Sequence, residues 1–150
     1  MSARWGLIQD QPDVVGAWVC ERTGGAWHKG CGTALGFTFD GALKAGAIYT
    51  SYTGADVQLG FAVEDRRVFN RASIWFAFYY PFQQLGCRRI TARVNCDNVR
   101  SLALVEHLGF VREATLTDAA PNGDQIQFRM LKSECRWLRD NRYKPRAKAA

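Results

Sequence analysis

The first half of the chain contains three consecutive segments in which apolar residues alternate with small or polar ones. This pattern strongly limits the folds that the chain can adopt. The segments are TALGFTFDG, LKAGAIYTSYTG and ADVQLGFAVED, within residues 33–65, and the dipeptides Asp40-Gly41 and Thr53-Gly54 separate them. Alternation with a period of two is typical of half-buried strands, and short glycine-containing turns join strands into hairpins. These segments therefore predict three successive antiparallel strands.

A short helix is predicted before these strands. The segment QPDVVGAWVCERTGG, residues 11–25, has Pro12 or Asp13 near its beginning and Gly24-Gly25 at its end. Proline suits the first turn of a helix, and glycine suits the residue that follows the last turn.

The aromatic segment ASIWFAFYYPFQQLG, residues 72–86, predicts a buried helix, because it is too long and too apolar for a strand beside such turns. We expect this helix to end between Pro81 and Gly86. Aromatic residues three and four positions apart form one apolar face, so Trp75, Phe78 and Phe82 are predicted to pack against the sheet.

The segment NCDNVRSLALVEHLGF, residues 95–110, follows the alternating stretch RRITARV and predicts a corner between a strand, a helix and another strand. The side-chain amides of Asn95 and Asn98 can cap the helix or bind a ligand at the sheet edge. Gly109 supplies the left-handed residue that ends the helix, and Phe110 is predicted to pack back onto it.

The remaining residues predict a hairpin, VREATLTDAAPNGDQIQFRML, that turns over Pro121-Asn122-Gly123. The predicted order is helix, three strands, helix, strand, helix and two strands. This order indicates an α/β (α+β) fold, in which helices flank a mixed, mostly antiparallel sheet. With 150 residues, 47% of them hydrophobic, and no internal repeat, the chain is predicted to form a single domain over residues 1–150.

The net charge of +6 at pH 7 is concentrated at the end of the chain. Residues 136–150 hold six basic residues against one acidic residue, which accounts for five of the six excess charges. A basic tail from about residue 139 can bind nucleic acid or an acidic partner. Two alternatives are a solvated terminus and a terminus in which Trp137 and Leu138 dock on the core while the basic residues only add solubility.

The cysteines do not suggest a metal site. There are five of them, scattered along the chain without the spacing of a zinc ligand set, and reduced, mostly buried thiols are the expectation. No apolar run is long enough to cross a membrane, and the first residues lack the order of a signal peptide. We therefore expect a soluble, cytoplasmic protein without a membrane partner.

Three segments in order resemble the GCN5-related N-acetyltransferase (GNAT) family, especially its small members encoded in bacteriophage genomes. The first is N-x-x-N-x-x-S followed by LVEHLGF, the second is YYPFQQLGCRRITARV, and the third is NGD followed by IQFRMLKSECRWL. Together they cover roughly residues 55–137. The resemblance implies the acyl-CoA N-acyltransferase fold, with acetyl-CoA as co-substrate.

The resemblance also implies a phosphate-binding loop. In this family acyl-CoA lies where two parallel strands splay apart, and its pyrophosphate rests on the first amides of the next helix. The family pattern [Q/R]-x-x-G-x-[G/A] aligns with residues 67–72, where Arg67 and Ala72 match and Asn70 replaces the first glycine. Asparagine tolerates a left-handed backbone, and Arg66, Arg67 and Arg71 can hold phosphate by charge-assisted bonds. An ordinary basic helix start facing solvent is the alternative.

The resemblance also implies catalytic groups, of which this chain lacks one. The oxyanion stabiliser is a backbone N–H on the splayed strand, here near Phe61 to Val63, and Asn98 begins the helix beside the cofactor. The family's tyrosine acid stands seven residues after this asparagine, where this chain has Val105. Other proton donors on the two helices concerned are Ser101, His107, Tyr79 and Tyr80. Glu64 and Asp65 can act as a base through water or can cap a helix.

Two functions follow from these residues. The first is an acyl-CoA-dependent N-acyltransferase, most simply one that acetylates a primary amine of a small molecule, a protein or a nucleobase. The second is a GNAT-fold phage protein that has lost catalysis and binds a partner or nucleic acid, in the host cytoplasm or in the virion. A homodimer is compatible with both functions.

Overall fold

The computed structural model describes residues 4–139 and 144–145. The strands are β1 Trp5–Ile8, β2 Gly32–Phe39, β3 Ala42–Thr50, β4 Asp56–Val63, β5 Arg89–Asn95, β6 Val111–Ala120 and β7 Gly123–Leu131. The α-helices are α1 Pro12–Thr23, α2 Arg71–Tyr79, α3 Val99–Leu108 and α4 Arg136–Arg139. Short 3-10 turns cover Arg66–Val68 and Lys132–Glu134, and a π-helical turn, Tyr80–Gln84, continues α2.

The seven strands form one mixed sheet in the order β1-β2-β3-β4-β5-β7-β6. Every neighbouring pair is antiparallel except β4 and β5, which are parallel. The three successive antiparallel strands and the final hairpin are confirmed. The sequence missed β1, which is only four residues long and is held at the sheet edge by pairing with β2, from Trp5 opposite Phe39 to Ile8 opposite Gly36.

The helices pack on both faces of the sheet. Val15 and Val19 of α1 are fully buried on one face, where Gly46 lets the helix approach because a Cβ there would lie 2.7 Å from Val19 Cγ2. α2 and α3 pack on the other face, in a main core that includes Phe78, Val105 and Phe128. The alternation of β3 between these two cores confirms that both faces of the sheet are covered here.

α2 packs against the sheet largely as predicted, with one error. Phe78 and Phe82 are almost fully buried, but Trp75 is only half-buried and stacks on the Tyr79 ring at a centroid distance of 4.4 Å. The prediction for Trp75 is wrong because Ile74, exactly four residues before Phe78, takes the sheet-facing position. Trp75 is rotated about 100° from it around the helix axis.

The corner at α3 has the predicted caps. The Asn98 side-chain oxygen accepts a hydrogen bond from Ser101 N at 3.2 Å, and Gly109 ends the helix with a φ of 105°. Phe110 is buried and lies 6.0 Å from the Phe78 ring centroid. Asn98 therefore acts as a helix cap, whatever else it binds.

The beginning of the predicted basic tail docks on the core. Trp137 is buried, its Nε1 donates to the Leu108 carbonyl at 2.8 Å, and Leu138 packs against the main core. Arg136 Nη2 donates to the His107 carbonyl at 2.7 Å. These bonds satisfy carbonyls at the end of α3, so the docked alternative is confirmed for this part. Residues 140–143 and 146–150, with three of the six basic residues of the tail, lie outside the described residues.

Three of the five cysteines, Cys20, Cys87 and Cys135, are buried, and Cys31 and Cys96 are exposed. All five are free thiols, and burial raises the pKa of the three buried ones. Within the described residues, no three His, Cys, Asp or Glu side chains are grouped so as to hold a metal ion. In the same part of the chain, no helix is long and apolar enough to cross a membrane.

Candidate active site

The parallel strands β4 and β5 separate after a short contact. They pair only over three positions, from Asp56 opposite Arg89 to Gln58 opposite Thr91. β4 continues to Val63, paired with β3 on its other side, and β5 continues to Asn95, paired with β7. The edge of β4 that faces β5 therefore has peptide groups without a strand partner, and a gap opens through the sheet.

A cleft of about 910 Å³ occupies this gap. Its lining comes from the end of α1, the end of β4, the loop before α2, and the start and one face of α3. The lining residues are Arg22, Thr23, Phe61, Ala62, Val63, Glu64, Arg66, Phe69, Ile74, Asn98, Arg100, Ser101, Leu104 and His107. Because α1 and α3 lie on opposite faces of the sheet, side chains from both faces contribute to the lining of the cleft.

The cleft combines an apolar interior with a positive rim. Its charged side chains are Arg22, Arg66 and Arg100 against Glu64, three positive groups against one negative group. Phe61, Val63, Phe69, Ile74 and Leu104 line its interior. Such a lining suits a long ligand that has an apolar stretch and anionic groups.

The loop before α2 does not have the predicted backbone. Asn70 is extended, with a φ of −115° and a ψ of −177°, so the prediction of a left-handed residue is wrong. The reason is a capping box: Asn70 Oδ1 accepts from Ser73 N at 3.1 Å, and Asn70 N donates to Ser73 Oγ at 2.9 Å. One amide that a bound anion would otherwise use is thereby already bonded.

Arg67 is held away from the cleft. Its guanidinium binds both carboxylate oxygens of Asp65, with Nη2 at 2.6 Å from Oδ2, and lies 4.1 Å from the Phe39 ring centroid. The hydrogen bond from Arg67 lowers the pKa of Asp65 to about 2. Asp65 also caps the turn Arg66–Val68 by accepting from Arg67 N, as the capping alternative predicted. Of the arginines predicted to hold phosphate, only Arg66 lines the cleft, and Phe69 is the residue of the predicted loop 67–72 that lines it.

Glu64 lies in the cleft, but both of its carboxylate oxygens are paired. Arg22 Nε is 2.9 Å from Oε2, and Lys44 Nζ is 3.5 Å from Oε1. The pKa of Glu64 is below its ordinary value, mainly because of the hydrogen bond from Arg22. A lowered pKa makes this carboxylate a weaker proton acceptor than the predicted base would need.

Solved structures with a similar fold include acetyltransferases. A spermidine N-acetyltransferase from Vibrio cholerae matches with a TM-score of 0.69 and 16% identity, over 91% of this chain and 98% of that chain. An acetyltransferase of the GNAT family from Bacillus anthracis matches with a TM-score of 0.55 and 20% identity, over 67% of each chain. This chain has the GNAT acetyltransferase fold.

The coverage of these matches differs. A probable acetyltransferase matches with a TM-score of 0.60 and 20% identity over 69% of this chain, and this chain spans 63% of that protein's length. No protein-family model and no curated protein matches the sequence.

Only some of the predicted proton donors line the cleft. Ser101 and His107 line the cleft, on the face of α3 that also carries Arg100 and Leu104. Val105, at the position of the family tyrosine, is fully buried in the main core. Two other predicted donors lie outside the lining, since Tyr80 Oη donates to Thr33 Oγ1 at 2.8 Å and Tyr79 stacks on Trp75.

A small apolar cavity of about 30 Å³ lies between α2 and the sheet, next to the cleft. It shares Phe61, Val63, Phe69 and Ile74 with the cleft lining. Its volume is near the share of one water molecule in the liquid. The cavity therefore has room for a group of one or two heavy atoms.

Seven of the predicted site residues line the cleft, and four do not. Those in the lining are Phe61, Val63, Glu64, Arg66, Asn98, Ser101 and His107; those outside it are Arg67, Asn70, Arg71 and Ala72. Arg100 was missed although its spacing of four and seven from Leu104 and His107 places the three on one helix face. No local signal marks Arg22, whose partner Glu64 is 42 residues away.

Proposed function

We propose that this protein is an acyl-CoA-dependent N-acyltransferase that transfers the acetyl group of acetyl-CoA to a primary amine. The observation that supports this most is the cleft through the sheet where β4 and β5 separate. An acyl donor and an amine can enter it from opposite faces and meet beside the backbone of Phe61–Val63.

The cleft lining fits acetyl-CoA. Arg66, before α2, and Arg100, in the first turn of α3, lie on the face of the sheet that carries both helices, where they can hold phosphates by charge-assisted bonds. The apolar residues between them can pack on the thioester arm. The small cavity beside Phe61 has room for the methyl group of an acetyl thioester but not for a longer acyl chain.

Acetyl transfer requires a bond between the amine nitrogen and the acyl carbon, cleavage of the carbon–sulfur bond, and movement of one proton from nitrogen to sulfur. The backbone of Phe61–Val63, beyond the last pair of β4 with β5, can supply an N–H group that stabilises the charge developing on the acyl oxygen. Ser101 and His107 are the donors in the lining for the departing thiolate. The positive cleft favours both developing negative charges.

The cofactor claim is tested by thermal denaturation with acetyl-CoA. A ligand that binds only the native state stabilises it by about 2.7 kcal/mol at 100 times its dissociation constant. We expect Arg66→Glu to remove the rise in melting temperature and Arg67→Glu, one residue away, to retain most of it. An unchanged melting curve at millimolar acetyl-CoA would show that the cleft does not bind the cofactor.

The second candidate is a GNAT-fold protein that no longer catalyses transfer and binds a partner or nucleic acid. It is favoured by Val105 in place of the tyrosine, by the paired Glu64, and by the capped Ser73 amide. Mass spectrometry of acetylated amines and of released CoA separates the two candidates. Binding of acetyl-CoA without any acetylated product favours this second one.

Finer aspects of the function stay predictions. A spermidine N-acetyltransferase from Vibrio cholerae is known as a dodecamer, and we propose that this chain also self-associates, at least as a homodimer, which native mass spectrometry can measure. The phage origin and the cytoplasmic location stay predictions from the sequence.

A further inference from the structure

The guanidinium of Arg22 is held in one orientation at the α1 side of the cleft. Its Nε donates to Glu64 Oε2 at 2.9 Å, its Nη1 donates to the Trp18 carbonyl at 3.0 Å, and its Cζ lies 3.8 Å from the Trp18 ring centroid. Within the part of the chain that the structure describes, Nη2 has no hydrogen-bond acceptor. A planar, oriented donor of this kind is suited to a carboxylate.

The charged side chains of the cleft lining leave a positive excess, with three arginines against the single carboxylate of Glu64. On the α1 side, Arg22 and Lys44 each pair with one oxygen of Glu64, and the exposed carboxylate of Glu21, outside the lining, lies 3.9 Å from Arg22 Nη1. In the described residues, the cleft lining contains no second carboxylate that could hold an ammonium group. A polyamine therefore finds no unpaired carboxylate in this lining, whereas a negatively charged ligand is attracted by its arginines.

The two faces of the sheet separate this group from the proposed cofactor site. Arg66 precedes α2 and Arg100 belongs to α3, the two helices on one face, whereas Arg22 and Thr23 belong to α1 on the opposite face. If the cofactor occupies the first side, the amine must approach from the second. The charged group nearest to the incoming amine is then the Arg22–Glu64 pair.

We propose that the acceptor is a primary amine that carries a carboxylate a few atoms from its nitrogen, an amino acid in the broad sense, and that Arg22 binds this carboxylate through Nη2. This inference rests on the acetyl transfer proposed above. The excess positive charge also favours the neutral form of the bound amine, which is the form that attacks the acyl carbon.

The experiment compares free amino acids with the same molecules lacking the carboxylate charge. Purified protein and acetyl-CoA are incubated with the twenty L-amino acids, β-alanine and 4-aminobutyrate, with the corresponding carboxamides, and with spermidine, and acetylated products are quantified by mass spectrometry. A charge-assisted bond is worth about 1.5–3 kcal/mol, so we expect kcat/KM of the best free acid to exceed that of its carboxamide by about 10- to 100-fold.

In the Arg22→Gln variant, kcat/KM of the free acid and of its carboxamide should be about equal, while acetyl-CoA still raises the melting temperature. Arg112→Gln, an exposed arginine on β6 paired with Glu106, should leave the preference unchanged. Equal use of acid and carboxamide by the unmodified protein, or preference for spermidine, overturns the proposal.

Melting curves test binding of the acceptor even if no acetylated product forms. Melting curves with CoA and each free acid should rise further than those with CoA and the carboxamide. If acetyl-CoA stabilises the protein but no free acid is acetylated or adds to stability, the acceptor class is wrong and the cofactor site stands. If acetyl-CoA itself has no effect, the proposed function fails, and the acceptor proposal fails with it.

Discussion

Replacement of Asn70 by glycine is predicted to weaken the free protein and to strengthen cofactor binding. In the free protein Asn70 Oδ1 accepts a hydrogen bond from the Ser73 amide, and Asn70 Nδ2 donates to the Arg67 carbonyl at 3.4 Å. Glycine removes both side-chain bonds and retains the bond from the residue 70 amide to Ser73 Oγ. The Ser73 amide, in the first turn of α2, is then available to a phosphate oxygen.

The two effects differ in sign and size. An asparagine-to-glycine change at a helix cap costs a few tenths of a kcal/mol, and a further exposed hydrogen bond contributes about 1 kcal/mol at most, so we expect a loss of about 0.5–1.5 kcal/mol. For a chain of this length that lowers the melting temperature by about 1–6 °C. A hydrogen bond from the released amide to a charged phosphate adds about 1.5–3 kcal/mol, which corresponds to a dissociation constant about 10- to 100-fold lower.

The assay is calorimetric titration of acetyl-CoA into both proteins, with melting curves of the free forms. Asn70→Asp is the matched control, because it retains the capping oxygen and adds a negative charge beside the proposed phosphate site. We expect it to melt near the unmodified protein and to bind acetyl-CoA more weakly. A glycine variant that melts lower but binds acetyl-CoA no more tightly would refute the assignment of the Ser73 amide as a phosphate donor.

Three further predictions concern stability and charge. In urea denaturation, Phe78→Ala should cost about 3–5 kcal/mol, and Trp75→Ala should cost clearly less, since only Phe78 is buried against the sheet; equal losses would place Trp75 in the core after all. The pKa of Asp65 is lowered to about 2 in the folded protein from an ordinary value of 3.8, so its pairing with Arg67 stabilises the fold above pH 3.8 and is lost as pH falls toward 2. Arg67→Gln should flatten the fall in melting temperature between pH 4 and pH 2, and a parallel fall in both proteins contradicts this. Removal of residues 140–150 should leave acetyl-CoA binding intact. If the tail binds nucleic acid, the shortened protein should bind duplex DNA more weakly, and the logarithmic salt slope should fall by about 0.9 for each lost phosphate contact. Equal, weak DNA binding by both forms at two salt concentrations removes nucleic acid as a partner.

The elements that depend on neighbours in sequence could be predicted from the chain alone. The alternation in β2, β3 and β4, the cap at Asn98 and the left-handed Gly109 all depend on residues within a few positions of one another, so the pattern of side chains decides them. The capping box was also readable, because Asn70 and Ser73 have the spacing of a helix cap. The family pattern favoured a glycine-like turn at Asn70, and the local capping bonds overrode it.

The tertiary structure decided the chemistry of the site. β1 exists only because β2 offers it an edge, and the gap between β4 and β5 depends on how far two separate strands remain in register. Arg22 and Glu64 are 42 residues apart, and they meet because α1 packs across the end of β4. A sequence pattern reports spacing along the chain, whereas the pairing of charges depends on distance in space, and packing of the whole sheet sets that distance.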